Sequence, residues 1–267
     1  MLDTRVQVIA NEEVAADFYL MRLAAPEIAA SQPGQFVEVQ ISQSYAPFLR
    51  VPLSVCGVDR KAGSVDLLFE DMGPKTHALS LVRSGMELAC LGPLGKGFSM
   101  PAAEQRAVLV GGGIGIPPLL FLGELLRRAG HHVSLLAGAR IGAKHLPDDM
   151  LQAVAQNVRQ ATDDGSLGYR GLVTDLLEDE LVADASCAVY TCGPHGMMAA
   201  VAAICDKARV FCQASLEEYM ACGFGVCVGC AVEVLPEDGE VRSPYLQYSR
   251  VCVDGPVFDA RRVNWGA

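Results

Sequence analysis

The sequence lacks any concentration of positive charge. Its 267 residues include 21 lysines and arginines against 31 aspartates and glutamates, which gives a formal net charge of −10. Nucleic acids and anionic membrane surfaces attract proteins through clustered basic residues, and no such block occurs here. We therefore expect neither as a partner.

Segments that would direct the chain into or across a membrane are also lacking. The first residues, MLDTRVQVIANEE, do not show the basic and then apolar pattern of a secretory signal. The longest apolar stretch, AVLVGGGIGIPPLLFLGELL, is interrupted by glycines and two prolines. A bilayer-spanning helix needs about 20 predominantly apolar residues in one continuous helix. We expect a soluble, cytoplasmic protein in which this stretch is buried core.

The composition is that of a folded protein with more than one domain. Hydrophobic residues make up 51% of the chain and charged residues 19%, which argues against disorder. A length of 267 residues exceeds that of most single domains. We therefore expect two or three domains in a multidomain β plus α/β protein.

Two of these domains follow from the pattern of strands and helices. Residues 1–100 contain short, partly alternating β-type runs and one helix-like segment that opens on Thr76, which predicts a small antiparallel β-barrel. Residues 101–212 alternate apolar strands with helices, which predicts a doubly wound parallel sheet. Residues 213–267 hold a cysteine cluster and few helix signals, and form the third predicted module.

The ten cysteines do not resemble a secreted disulfide framework. Several of the six scattered ones lie in apolar strand-like or helix-like contexts, where a free thiol packs as a small hydrophobic group. These six are Cys56, Cys90, Cys187, Cys192, Cys205 and Cys212.

The other four cysteines form the most specific pattern in the chain. Within YMACGFGVCVGC and RVCVDG they follow the spacing C-x4-C-x2-C-x21-C, at Cys222, Cys227, Cys230 and Cys252. A C-x4-C-x2-C loop with a distant fourth cysteine is the plant-type arrangement for a [2Fe–2S] cluster. Three thiolates that converge on one small cluster force the backbone to wrap around it, and we expect Gly223, Gly225 and Gly229 to supply the positive φ angles. A structural zinc site and a chance grouping of thiols remain as alternatives, although zinc sites usually pair one C-x2-C with another.

Two glycine-containing loops indicate a nucleotide site in the second domain. VLVGGGIGIPPLL passes from a strand into a helix, so that Gly111, Gly112, Gly113 and Gly115 allow close approach of a phosphate to the backbone. YTCGPHGMM, with Cys192, Gly193 and Pro194, also lies between a strand and a helix. Both loops should lie at the carboxyl edge of the sheet, where open α/β sheets bind ligands.

The barrel contains a third candidate stretch, FLRVPLSV. Arg50 is a cation in an apolar strand context, Pro52 stiffens the backbone, and Ser54 offers a hydroxyl group. Such a set suits an anionic or ring-nitrogen ligand, whereas the alternative is an edge strand with a surface arginine. Thr76, at the start of a helix, is a further candidate position for a diphosphate.

The order of these motifs along the chain resembles the ferredoxin–NADP reductase family of flavoproteins: R-x-P-x-S in a barrel, then GGGIGIPP, then CGP. The C-terminal MACGFGVCVGC and RVCVDGPVFDA closely resemble the electron-transfer subunits of dihydroorotate dehydrogenase B. The resemblance implies one FAD and one [2Fe–2S] cluster per chain, with NAD as the pyridine nucleotide. It also implies a partner, the FMN-containing dihydroorotate dehydrogenase catalytic subunit, in a heterotetramer with two copies of each chain. The reaction would belong to the de novo synthesis of pyrimidines (UMP).

Site residues are carried over by position from this resemblance. Those that would contact FAD are Arg50, Pro52, Leu53, Ser54, Leu68, Phe69, Glu70, Lys75 and Thr76. Lys75 replaces a glycine of the family, and Glu70 stands near a position that is often basic. The glycines of the first loop, with Cys192, Gly193 and Pro194, would contact NAD, and the four clustered cysteines would ligate the iron. No catalytic acid or base is expected, and of the five histidines only His195 stands beside a nucleotide loop.

Two other functions remain open at this point. Small subunits of NAD(P)H–ferredoxin oxidoreductases and of cytosolic hydrogenases share the barrel, the nucleotide domain and a related cluster module. Arg140, at the end of the second strand of the nucleotide domain, keeps NADP open, because an arginine there can meet a 2′-phosphate. A zinc-bearing regulatory module that has lost reductase activity is the non-enzyme alternative.

Overall fold

The structure is a computed structural model that describes residues 1–41, 48–235 and 247–266. Within these ranges no helix is both long enough and apolar enough to cross a bilayer. The cytoplasmic location expected from the sequence stays a prediction.

The N-terminal part is a closed antiparallel barrel, as predicted. Its strands follow the order β1-β2-β5-β4-β3-β6 around the barrel. The elements are β1 (Leu2–Ala15), β2 (Phe18–Ala24), β3 (Phe36–Gln40), β4 (Val51–Asp59), β5 (Ser64–Glu70), α1 (Pro74–Ser80) and β6 (Glu87–Leu94).

Alternation along β3 separates the inside of this barrel from its outer face. Val37 and Val39 are fully buried and belong to the barrel core. Phe36, whose side chain points the other way, packs in the core of the neighbouring α/β domain. Glu38 lies on that same outer face because successive side chains of a strand point to opposite sides.

The central part is a sheet with helices on both faces, which confirms the predicted doubly wound domain. Strand order is β10-β9-β8-β7-β11-β12-β15, and the strands from β10 to β12 are parallel. The elements are β7 (Arg106–Gly112), α2 (Pro117–Arg128), β8 (Val133–Ala139), α3 (Asp148–Val154), β9 (Asn157–Thr162), β10 (Tyr169–Arg170), α4 (Val173–Ala183), β11 (Cys187–Cys192), α5 (His195–Ala208) and β12 (Phe211–Ser215). Residues of α2 and α3 share one core cluster, and residues of α4 and α5 share another.

The C-terminal part is a small cysteine-rich module that is tied to this sheet. It contains β13 (Ala231–Glu233), β14 (Tyr248–Arg250) and β15 (Val257–Asp259). β13 and β14 form a two-stranded sheet, whereas β15 pairs antiparallel with β12 and extends the central sheet. Cys230, Val251 and Cys252 are buried in the same core cluster as α4 and α5. The module is therefore fixed in position by the α/β domain.

All ten cysteines are free, and the six outside the cluster motif are buried. This burial agrees with the expectation that scattered thiols pack as small hydrophobic groups.

Candidate functional site

The four clustered cysteines come together as two pairs. The Cys230 and Cys252 sulfurs are 3.2 Å apart in the buried part of the module. Cys222 and Cys227 form the second pair at the surface, and the Cys227 backbone N–H lies 3.5 Å from the Cys222 sulfur. The two pairs lie side by side, because Gly225, between Cys222 and Cys227, accepts a hydrogen bond at 3.1 Å from Arg250, two residues before Cys252. Folding therefore gathers all four predicted ligands into one region.

This arrangement in two pairs fits a binuclear cluster. A [2Fe–2S] cluster takes two cysteine ligands on each of two irons. The donors thus fit a two-iron group.

The loop wraps around this position through residues with positive φ. Gly223 has φ of 74° and Gly225 has φ of 87°, as the sequence predicts. Gly229 was also expected to adopt a positive φ, but this prediction is wrong: the residue before it, Val228, takes φ of 60° instead. A β-branched residue in the left-handed region is strained, and such strain persists only where the surroundings impose it.

The environment of Cys222 favours the thiolate form that a metal ligand needs. Burial alone would raise its pKa, but hydrogen bonds from the backbone of Cys227, Phe224 and Val226 and from the Cys227 side chain lower it to about 6. Burial and the adjacent Cys230 thiol raise the pKa of Cys252 to about 12. Backbone N–H groups that point at sulfur, such as that of Gly229 at 3.5 Å from Cys227 Sγ, also help to set a cluster's potential.

Arg250 ties the two cysteine-bearing segments together, a role that sequence analysis missed. Its Nη1 donates to the Gly225 carbonyl at 3.1 Å, and its Nε donates to Asp254 Oδ2 at 3.3 Å. Because Arg250 stands two residues before Cys252, this contact holds the 222–230 loop against the turn after β14 that supplies the fourth ligand. An arginine at the end of a three-residue strand gives no signal of this contact in the sequence.

The two glycine-containing loops meet at the carboxyl edge of the central sheet. β7 and β11 are neighbours, with Gly111 paired to Cys192. A methyl group built on Gly115 would lie 2.4 Å from both Cα and N of Gly193, so only glycine permits this approach of the two backbones. Gly113 has φ of 51° and faces open space.

A cavity of about 390 Å³ opens beside the second loop, between the start of α5 and the cysteine-rich module. Its lining includes Pro194, His195, Glu217 and Glu233. Desolvation within the cavity raises the pKa of Glu217, whose Oε1 lies 3.8 Å from the Cys192 sulfur. His195 is exposed, with its ring 5.4 Å from that of Trp265. Acidic side chains in this lining disfavour a phosphate and favour a cationic or neutral ring.

The predicted flavin contacts on β4 divide between the two faces of the strand. Leu53 is buried in the barrel core, whereas Pro52 and Ser54 lie on the outer face together with the preceding Arg50. Nη2 of Arg50 donates to both carboxylate oxygens of Asp3, at 3.0 and 2.8 Å. Its Nη1 is buried and has no hydrogen-bond partner among the described residues. Arg50 thus keeps a charged donor available on this face.

The predicted contacts on β5 are largely occupied by structural roles. Phe69 stacks with Tyr19 inside the barrel at 5.7 Å, and Leu68 is buried in the core shared with the α/β domain. Glu70 Oε1 accepts from Lys144 Nζ at 2.8 Å, an ion pair that joins the barrel to the α/β domain. Only backbone atoms of Leu68 and Phe69 remain for a ligand.

Helix α1 begins earlier than the sequence suggested. Thr76 was predicted to be the N-cap residue; in fact Gly73 holds that position and Thr76 is the third helical residue. The Thr76 hydroxyl accepts hydrogen bonds from the N–H groups of Met72 and Gly73, at 3.0 and 3.1 Å. Lys75 Nζ donates to the Arg50 carbonyl at 3.2 Å, which places a second cation at the outer face of β4.

Comparisons with protein families identify two domains of the chain. Residues 217–264 match the model for the iron-sulfur cluster binding domain of dihydroorotate dehydrogenase B. Residues 109–203 match the model for an oxidoreductase NAD-binding domain. The two matches cover the cysteine-rich module and the strands and helices that carry both glycine loops.

Similar proteins extend over the whole chain. The electron transfer subunit of dihydroorotate dehydrogenase B (NAD(+)) from Desulforamulus reducens is 36% identical over 97% of each chain. The corresponding subunit from Listeria monocytogenes serotype 4b is 36% identical over 99% of this chain and 100% of its own. Among solved structures, that of an NADH-dependent reduced ferredoxin–NADP oxidoreductase superposes with a TM-score of 0.85 at 27% identity, over 97% of this chain and 90% of that one. A ferredoxin NADP+ reductase from Neisseria gonorrhoeae, with a TM-score of 0.64 at 17% identity over 77% of this chain and 91% of its own, shares the fold.

Proposed function

Because the chain belongs to the family of dihydroorotate dehydrogenase B electron-transfer subunits, we propose that it conducts electrons from a dihydroorotate-oxidising subunit to NAD⁺. The electrons come from an FMN-containing catalytic partner and pass through a [2Fe–2S] cluster and FAD on this chain. A flavin supplies the exchange between one-electron and two-electron carriers, while the protein binds and orients the cofactors. The product of the whole enzyme is orotate, on the route to UMP.

The pairing of the four sulfurs is the observation that carries this proposal. Cys222 with Cys227, and Cys230 with Cys252, would each hold one iron of a [2Fe–2S] cluster. The spacing C-x4-C-x2-C with a distant fourth cysteine also differs from that of structural zinc sites, which usually pair one C-x2-C with another.

The outer face of the barrel is the proposed FAD site. Arg50 presents a buried, unpaired Nη1 there, and Pro52 and Ser54 lie beside it. We retain Leu53, Leu68, Phe69, Lys75 and Thr76 as backbone or peripheral contacts, and Glu70 as a residue held mainly by Lys144.

The meeting point of the two glycine loops is the proposed NAD site, formed by Gly111, Gly112, Gly113 and Gly115 with Cys192, Gly193 and Pro194. The end of β9 supports NAD over NADP. Asp163 and Asp164 are exposed there, and the Asp164 backbone N–H lies 3.4 Å from the Arg140 carbonyl. The negative charge of these two residues, next to the backbone of Arg140, disfavours a 2′-phosphate at this edge of the sheet.

The surface around the cluster loop fits a protein partner. Four apolar side chains are exposed there, with relative exposures of 95% for Tyr219, 44% for Phe224, 73% for Val226 and 53% for Val228. Contiguous exposed apolar groups mark interaction sites in soluble proteins. We propose that this surface docks the FMN-containing subunit, two copies of each chain forming the heterotetramer.

The test is anaerobic purification of the tagged chain from its own cells, followed by analysis of iron, sulfide and flavins. The expected result is a stoichiometric FMN-containing partner, with two irons and one FAD per copy of this chain and NAD⁺ reduction that depends on dihydroorotate. A partner with [4Fe–4S] clusters and no response to dihydroorotate would favour the ferredoxin–NADP oxidoreductase alternative, which the superposition with a TM-score of 0.85 keeps as second candidate. Zinc without FAD would refute both.

A further inference from the structure

Glu38 is a fully buried carboxyl group without a hydrogen-bond partner. Its relative exposure is 0%, and neither Oε1 nor Oε2 has a partner among the described residues. Leaving a buried polar group unpaired costs roughly 1–3 kcal/mol, and more for a charged group. Because this free-energy cost is not offset by a hydrogen bond to any residue that the structure describes, we infer that Glu38 serves binding or electrostatics rather than packing.

The strand register places Glu38 against the proposed flavin site. β3 and β4 are antiparallel neighbours, with Glu38 directly opposite Pro52 and Phe36 directly opposite Ser54. Opposite residues of an antiparallel pair project to the same face, with Cβ atoms about 4.5–5.5 Å apart. Glu38 therefore shares the outer barrel face with the residues proposed to contact FAD.

The cluster loop covers the other side of the same side chain. A methyl group built on Gly223 would lie 2.6 Å from Glu38 Cγ and 2.7 Å from its Oε1, so the loop backbone is in contact with the carboxylate. Gly223 directly follows Cys222. Glu38 thus stands between the flavin face and the loop that supplies the proposed iron ligands.

The charges that face Glu38 come from three elements. Burial raises the pKa of its carboxyl group to about 7, and the cations Lys75 and Arg50 lower it while the Cys222 thiolate raises it. Lys75 belongs to α1, Arg50 directly precedes β4, and Cys222 lies in the cluster loop. Glu38 supplies the only carboxyl group in this set.

We propose that Glu38 tunes the potentials along the electron path: its carboxylate lies between the proposed flavin face and the cluster loop, and its negative charge makes both cofactors harder to reduce. An electron that arrives at either centre is repelled by a fixed anion nearby, and the repulsion is strong because buried sites are poorly screened. The net charge around a cluster is among the factors that set its potential. This inference rests on the proposed function, because it requires both cofactors.

The test is potentiometric titration at pH 8 of the purified complex, with the flavins followed by visible absorbance and the cluster by electron paramagnetic resonance. Glu38→Gln keeps the size of the side chain and removes its charge. We expect both the FAD and the cluster of this variant to become easier to reduce, each by about tenfold in the reduction equilibrium, or about 59 mV for a one-electron step. Glu38→Asp keeps the charge and should leave both potentials near those of the wild type. Glu87→Gln, at an exposed position on β6 of the same barrel, is the matched control.

Two results would overturn the inference while leaving the proposed function intact. Potentials in Glu38→Gln that match Glu87→Gln would show that the carboxylate has no electrostatic effect. A shift at only one centre would show that Glu38 does not lie between them. A wild-type chain that binds no flavin or no cluster would instead overturn the proposed function, and this inference with it.

Discussion

Replacement of Gly223 by alanine should destabilise the cluster loop, because this position needs glycine for two reasons. The residue has φ of 74°, and an alanine in the left-handed region costs about 1–2 kcal/mol. Its Cβ would also lie 2.6 Å from Glu38 Cγ, and Glu38 is fully buried, so the carboxylate cannot swing into solvent. Overpacking of this kind adds about 1–3 kcal/mol. The total of about 2–5 kcal/mol corresponds to a reduction of at least tenfold in the population of the native loop.

Gly229 is the matched control within the same loop. It has no positive φ, and the nearest atom to a methyl group built on it is Cys227 Sγ at 3.7 Å, an ordinary van der Waals distance. Gly229→Ala should therefore change the stability of the loop by less than about 0.5 kcal/mol. Both variants keep all four thiolates, so any difference between them reports the loop backbone.

The assay is the anaerobic loss of cluster absorbance under a fixed excess of chelator, with iron and sulfide counted before the challenge. Gly223→Ala should lose its cluster at least ten times faster than Gly229→Ala, and bound FAD should show that the barrel is intact in both. If the two variants lose iron at rates within a factor of two, the contact between the loop and Glu38 does not support the cluster.

Three further predictions concern the nucleotide site, the partner surface and the arginine that holds the loop. Gly115→Ala should lower NADH–dye reductase activity at least tenfold, because its Cβ would push the two loops apart and a displacement of a bound substrate by about 1 Å can lower the rate 10²-fold. Gly196→Ala, where a Cβ meets open space, should keep its activity. Equal activities in the two variants would contradict the meeting of the two loops. Val226→Asp should weaken binding of the catalytic subunit at least tenfold, as measured by analytical ultracentrifugation. Val182→Asp, at a position on α4 with 89% exposure, should bind as the wild type does. The docking surface would be refuted if both variants lost affinity or if neither did. Arg250→Gln removes the hydrogen bond to the Gly225 carbonyl and a partly exposed ion pair with Asp254, together about 1–2 kcal/mol after solvent screening. It should speed cluster loss to chelator at least fivefold, and a rate equal to that of the wild type would show that the contact with the loop is dispensable.

The architecture was predictable wherever the hydrophobic pattern was strong. The alternating runs of the barrel and the apolar strands β7, β8 and β11 all gave the correct element type. β9, NVRQAT, carries few apolar residues, and its position between β8 and the short β10 is set by pairing rather than by its own pattern. β15 likewise joins the central sheet although the sequence suggested only a cysteine-rich module.

The site was predictable where spacing alone encodes the chemistry. Four cysteines at the observed intervals indicate a cluster before any fold is known. In contrast, Glu38 occupies an outward position of an alternating strand, which in sequence is indistinguishable from a solvated surface glutamate. Its burial arises because a loop almost 200 residues later folds over it, and no local pattern reports such a contact. The positive φ of Val228, in place of Gly229, is likewise imposed by the loop as a whole.

The electron path through this chain is tested most directly with the Cys227→Ser variant in the purified complex. Cys227 is exposed and supplies one of the four proposed iron ligands, whereas FAD is proposed to lie mainly on the barrel. We predict that the variant complex keeps FAD and NADH–dye reductase activity, and that dihydroorotate still reduces the partner's FMN but no longer reduces NAD⁺. Dihydroorotate-dependent reduction of NAD⁺ at the wild-type rate in the absence of the cluster would contradict the account.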